Sequence, residues 1–129
     1  MRLLALLALL VLATPAYAAR WEAVGVSAKG NQVFIDASKM KQQAAAEVRA
    51  ISYRVLYATP LDLDGPVIAS ARFDARFDCR SGTVTTDKIT LFSDAEGTRS
   101  LAQKRERVPL TLKEPEGSSA DVARQAVCR

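Results

Sequence analysis

The chain has 129 residues, with 18 Lys+Arg against 14 Asp+Glu, 49% hydrophobic residues, two cysteines and no histidine. A composition this balanced excludes a disordered chain, a collagen-like fibre and a polytopic membrane protein. Without histidine the chain alone cannot build a Ser-His-Asp triad, a Cys-His dyad, a His-ligated zinc site or a His-ligated haem. Composition therefore leans away from an enzyme.

Residues 1–18 read as a secretory leader. Arg2 supplies the positive start, Leu3 to Ala13 the apolar run, and Ala16 and Ala18 the small-residue positions before cleavage. A run of about eleven apolar residues is shorter than the roughly 20 that a spanning helix needs. No transmembrane helix is therefore expected once the leader is gone. No cysteine follows the run, which excludes lipid attachment through one. Residues 19–129 are expected to form a single domain, large enough to bury roughly two-thirds of its unfolded surface. Its charge, +3 without Arg2, is too mild for a nucleic-acid footprint.

Trp21–Ser27 and Gln32–Ile35 flank Ala28-Lys29-Gly30-Asn31, the pattern of a hairpin, with Trp21 as a core anchor for the first strand. Asp36–Met40 reads as an irregular turn and Lys41–Ala46 as a polar, Ala-rich stretch. Glu47–Tyr57 is rich in Val, Ile and Tyr and reads as a strand, with Tyr53 and Tyr57 on one face packing into the core. Thr59–Pro66, with two prolines and a glycine, is expected to be a connecting loop. Val67–Arg80 fits both a strand and a helix. At period 2 the apolar Phe73, Ala75, Phe77 and Cys79 separate fully from Arg72, Asp74, Arg76, Asp78 and Arg80, which favours the strand. The alternating charges on that strand are expected to pair with one another. Thr83–Phe92 reads as a further strand, and Thr98–Val108 as a polar edge strand whose Lys104, Arg105 and Arg107 blunt unwanted pairing.

Pro109, Pro115 and Gly117 mark the exit from the sheet. Ser118 and Asp121 then form a capping box opening a helix that runs to Cys128. About ten residues of helix do not persist alone in water. Two cysteines in an exported chain read as one disulfide, Cys79–Cys128, closing a loop of 49 residues. The chain-entropy model values such a loop at roughly 4 kcal/mol. It would staple the helix to the sheet face that holds Phe73 and Phe77. The fold class is thus α+β: an antiparallel sheet of about six strands with one C-terminal helix disulfide-bonded to it.

The ordered landmarks resemble the surface-adhesin protein E family of Gram-negative bacteria. They are Trp21-x-x-Val24-Gly25, the run Gly30 to Asp36, Phe77-Asp78-Cys79, a Gly-containing turn, and the terminal Ala126-Val127-Cys128. The resemblance covers essentially the whole chain after the leader. It implies a six-stranded antiparallel sheet with a disulfide-held helix, which supports the strand reading of residues 72–80, and a tendency to dimerise. It also implies adhesion through host matrix and serum proteins such as vitronectin and laminin. The chain departs from the family in having no cysteine for a lipid anchor. Where the family often has tryptophans, it has Tyr53 or Tyr57 in the central strand and Glu106-Arg107-Val108 before the last helix.

No catalytic, metal or cofactor set stands out. Asp62 and Asp64 beside Gly65 lack the further oxygen ligands that calcium needs, and nothing nominates a carboxylate pair. The candidate partner-binding residues are Lys104, Arg105 and Arg107, held to act on the outer surface because the helix is expected to occupy the inner face. The expected role is an exported adhesin-type module for host matrix or envelope proteins, self-associating as a homodimer, in the periplasm or at the outer-membrane surface. A periplasmic envelope-maintenance protein and a lysozyme-inhibitor-like protein are the alternatives.

Overall fold

The computed structural model describes residues 18–62 and 64–129. The leader expected over residues 1–18 falls, but for its last residue, outside them. The chain runs β1 (Trp21–Val26), β2 (Gln32–Asp36), a 3-10 turn (Ala37–Lys39) leading into α1 (Met40–Gln43), then β3 (Val48–Asp62), β4 (Val67–Asp78) and β5 (Thr83–Phe92). It continues through β6 (Ser100–Arg105), β7 (Thr111–Leu112) and α2 (Ser119–Val127). The sheet is antiparallel throughout. Six strands lie in chain order, β1-β2-β3-β4-β5-β6, and β7 pairs with β5 beyond the end of β6. The helices are short, so the fold is mainly β, with seven strands among the described residues where about six were expected.

The β1–β2 hairpin forms where Gly30 and Asn31 predict it. Gly30 takes φ +83 and donates to Ser27, whose own N–H donates to the Asn31 carbonyl at 2.8 Å. Residues 37–43, read as an irregular turn to Met40 and a polar stretch beyond it, instead wind helically. Asp36 caps them, accepting from the Ser38 N–H at 3.0 Å and hydroxyl at 2.6 Å, and from the Arg20 N–H at 3.0 Å. Four residues of α1 are too few for a period of 3.6 to register in the sequence.

β3 and β4 form the longest pairing, from Val48 opposite Asp78 to Asp62 opposite Val67. The loop expected over Thr59–Pro66 is therefore strand as far as Asp62, and β4 begins at Val67. Pro60 is accommodated because the register is irregular between Leu56 and Leu61, and β2 reaches only as far as Leu56. At that edge the missing N–H costs no ladder bond. β6 likewise ends at Arg105, sooner than the expected Val108. The chain then returns, and Thr111 and Leu112 pair with Thr85 and Val84. This second edge segment, read from the prolines as an exit, satisfies backbone groups on β5 that β6 is too short to reach.

The main core cluster lies on one face. Val33, Ile35, Ile51, Tyr53, Val55, Ala75, Phe77 and Val84 meet Ala120, Ala123, Ala126 and Val127 of α2. Tyr53 stacks on Phe73, with centroids 4.7 Å apart and planes 8° apart. Alanines on the buried side of α2 let the helix sit close, and Gly25 makes room for Val122. A Cβ at Gly25 would stand 2.9 Å from Val122 Cγ1. Ser118 caps the helix as expected, accepting from the Asp121 N–H at 3.2 Å. The Asp121 carboxylate accepts from Gly117 N–H, Arg124 and Gln125 rather than from the Ser118 N–H of a full capping box. Burial pushes its pKa up, but these donors outweigh burial and hold it below the usual value. The Cys79–Cys128 disulfide ties the helix end to the end of β4. Arg49 donates to the Val127 carbonyl at 2.6 Å, satisfying a terminal helix acceptor.

Trp21 is not a core anchor. It lies on the opposite face of the sheet, with the Arg54 and Arg72 guanidinium carbons 5.4 and 5.6 Å from its ring centroid. Its parity follows Phe34 and Arg54, away from the helix, because β1 pairs Trp21 with Asp36.

Candidate binding surface

α2 is nine residues long. A helix of that length measures about 14 Å by 10 Å, whereas six strands at about 4.8 Å spacing span roughly 24 Å. It packs on β1, β2 and the near part of β3. The expectation that the helix occupies the whole inner face is therefore corrected: it covers one half, and the stretch of the same face from Ile89 to Leu91 on β5 and along β6 stays open. Ile89 and Leu91 on β5, opposite Phe73 and Ala71, point to this side, as do Ala102 and Lys104 of β6. With Gln103 they line an apolar cleft of about 240 Å³. Beside it, the β6–β7 edge exposes Leu101, Val108, Leu110 and Leu112, with Val108 85% and Leu110 65% exposed.

The three candidate cations do not share one face. Lys104 projects to the helix side, where its Nζ stands 3.7 Å from Glu106 Oε1. Arg105, the next residue along β6, projects to the other side opposite Lys88, and Arg107 lies past the strand end. Alternation along a strand imposes this split. All three are exposed, and they gather at one end of the edge rather than on one surface.

The outer face carries a different chemistry. Asp74 accepts from the Ser52 hydroxyl at 2.5 Å and from Arg72 at 3.0 Å, with Lys88 at 3.7 Å. Burial raises its pKa, and these partners more than reverse that, holding the carboxyl low. The expected pairing along β4 holds for Arg72 and Asp74. Arg76 pairs instead across the sheet with Asp87 in a two-bond fork, and Asp78 caps the following turn through the Arg80 and Ser81 N–H groups. Exposed pairs of this kind contribute a few tenths of a kcal/mol each.

Above this face the β5–β6 turn is pinned by Asp94, which accepts from the Thr98 hydroxyl and from the Thr98 and Arg99 N–H groups. The Thr98 side chain first, then the Arg99 N–H, lower its pKa to about 2 against the opposing push of burial. Gly97, at φ +71, passes over the Arg54 guanidinium, which donates to the Ala95 carbonyl at 2.7 Å.

A wider cleft of about 420 Å³ between the Ser27–Asn31 turn and Pro115–Ser119 abuts a helix end that Ser118 already caps. Among the described residues, no group of three or more His, Cys, Asp or Glu stands close enough to hold a metal, and no helix is long and apolar enough to cross a membrane.

The open apolar half was missed by the sequence reading. Ile89 and Leu91 signal an apolar parity in β5, but only the position of α2 decides whether that parity is covered.

An open antiparallel sheet with one short terminal helix stapled to it defines a class of small disulfide-bonded β proteins. A family model described as surface-adhesin protein E matches residues 21–129. The chain belongs to the surface-adhesin protein E family, and so to exported proteins of the adhesin type. Solved structures of Haemophilus influenzae protein E share the fold. Its crystal form II matches with a TM-score of 0.58 at 15% identity, covering 89% of this chain and 93% of that one. A second structure of the same protein matches at 0.54 and 14% identity, covering 89% of each. No curated protein matches the sequence.

Proposed function

We propose that residues 19–129, freed of the leader, form a non-enzymatic binding module of the adhesin E type that holds host matrix or other extracellular proteins at the cell envelope. The observation that carries this is the family match over residues 21–129. The absence of histidine from the sequence and the wide exposed sheet surface support a binding role. In this reading Lys104, Arg105 and Arg107 steer an acidic partner toward the β6 edge, and the outer-membrane surface is the site of action. Two copies associate, as the family resemblance implies.

The test measures binding of the mature domain to matrix proteins and sulfated glycans at low and high ionic strength, with Lys104→Glu/Arg105→Glu as the variant. Charge-steered contacts are screened over about 10 Å at 0.1 M salt, so binding should weaken with salt and in the variant. Protease accessibility on intact cells, against cells with an opened outer membrane, reports location, and sedimentation reports association. A protein confined to the periplasm that binds none of these ligands would replace this reading with envelope maintenance.

A further inference from the structure

The two edges of the sheet differ in how they meet solvent. β1 is twisted by a register shift between Ala23 and Gly25, and α2 packs against it. Such features blunt an edge against pairing. β6 has all six residues exposed, and from Ala102 to Arg105 its register with β5 is regular. The Glu106 N–H donates to the Asp87 carbonyl at 2.9 Å, in the same register as the Arg105–Lys88 pair. Antiparallel ladders alternate, so Lys104 and Ala102 bond inward to β5 while Gln103 and Arg105 aim their N–H and C=O groups at the open side.

Beside those groups, on the helix side, lies the apolar cleft of Ile89, Leu91, Ala102 and Lys104. Ala102 is small, so a side chain from a strand laid along β6 reaches over it onto Leu91. The strand Ser100–Arg105 holds no carboxylate, and its two cations lie on opposite faces at one end. Among the described residues no carboxylate pairs with Arg105, and Lys104 has only the exposed contact with Glu106.

We propose that the free edge of β6 captures an extended segment of a partner protein, about six residues long, by strand addition. Apolar side chains of the segment fill the Ile89–Leu91–Ala102 cleft, and the carboxylates that alternate with them on the other face meet Arg105. Backbone bonds to Gln103 and Arg105 supply affinity, and the alternate side chains supply selection. A second copy of this chain is the poorer occupant, because its own β6 brings two more cations and no carboxylate. The inference rests on the binding-module reading and deepens it by naming the partner's chemistry.

The probe is a synthetic, end-blocked nine-residue peptide of alternating Val and Glu, followed by fluorescence anisotropy and by amide hydrogen exchange of the mature domain at pH 7. The acidic peptide is expected to slow exchange at Gln103 and Arg105 at least tenfold, and a Val–Lys peptide to bind at least tenfold more weakly. Gln103→Pro deletes an outward N–H without breaking a β5–β6 bond, and should weaken binding at least tenfold where Gln103→Ala changes it less than twofold. Exchange protection needs no variant, so it decides the matter even if the proline variant folds poorly. Binding without protection at these amides, or unchanged in a folded Gln103→Pro, overturns the proposal. So does a dimer in sedimentation that Gln103→Pro dissolves, or protection by phosphatidylglycerol vesicles but not by the peptide. Peptide capture with no binding to matrix proteins removes the adhesin reading and leaves this one. Matrix binding without peptide capture does the reverse.

Discussion

On the helix-facing side of the sheet, the β1–β3 half and the β5–β6 half are made of strands with the same period-2 pattern and end in opposite states. In the first, Val33, Ile35, Ile51 and Val55 lie under a helix whose small alanines allow close approach and whose end is held by Cys79–Cys128 and Arg49. In the second, Ile89, Leu91 and Ala102 face an open cleft, with Val108 and Leu110 exposed beside it. The difference is one of reach. A nine-residue helix covers about half of a six-strand width, and its packing on β1 and β2 fixes which half. One half is packed under the helix, and the other stays open to solvent.

The comparison can be broken most severely at Phe77, which is fully buried beneath the helix-bearing half. Phe77→Ala should cost about 3–5 kcal/mol, read from urea unfolding. Cys128→Ser comes next. Opening a loop of 49 residues should cost about 2–4 kcal/mol, and hydrogen exchange should accelerate in α2 before it does in β5 or β6. If the whole sheet loosened together, the two halves would not be independent in stability. Gly25→Ala forces a Cβ to within 2.9 Å of Val122 and should cost about 1–3 kcal/mol by lifting the helix. Val122→Ala should relieve part of that loss, which a purely local effect on β1 would not allow.

Acid acts on the β5–β6 turn. The Asp94 carboxyl titrates at about 2 in the folded chain against an ordinary 3.8, so its depressed pKa adds stability that is whole above about pH 4. That contribution is lost as pH falls through 4 toward 2. Urea midpoints measured across this range should drop, and Asp94→Asn, less stable at neutral pH, should show a shallower fall. The smallest effect belongs to the open half. Leu91→Ala removes a half-buried side chain and should cost no more than about 1 kcal/mol, well below the 2–5 of a buried leucine. A loss as large as that of Phe77→Ala would mean that the cleft is structural rather than a vacant surface.

Gly30 with Asn31 predicted the first hairpin, Ser118 the start of α2, and the two cysteines their own pairing, because each depends on neighbours in the chain or on a choice with a single outcome. The β4 pattern fitted both strand and helix; its complete period-2 separation favoured the strand, and the family resemblance supported that reading. Pro60 and Pro109 were read as ending strands, and both segments nonetheless contribute to the sheet. A proline breaks a ladder only where its N–H would have been used, and that is a property of the neighbouring strand. Trp21, at the start of the first strand, was assigned to the core as its anchor, whereas pairing with Asp36 turned it to the outer face. Lys104, Arg105 and Arg107 read as one patch and were divided by strand alternation.

The sequence by itself determined which residues of each strand share a face, where α2 begins, and that its end is bonded to β4. Local dihedral preference, hydrogen-bond capping and covalent chemistry act over a few residues, or through one bond. Tertiary structure alone decided that α2 lies over β1–β3, that β7 returns to β5, and that β6 keeps a free edge beside an apolar cleft. Each of these depends on the length of one element against the width of another, and no stretch of sequence carries both quantities.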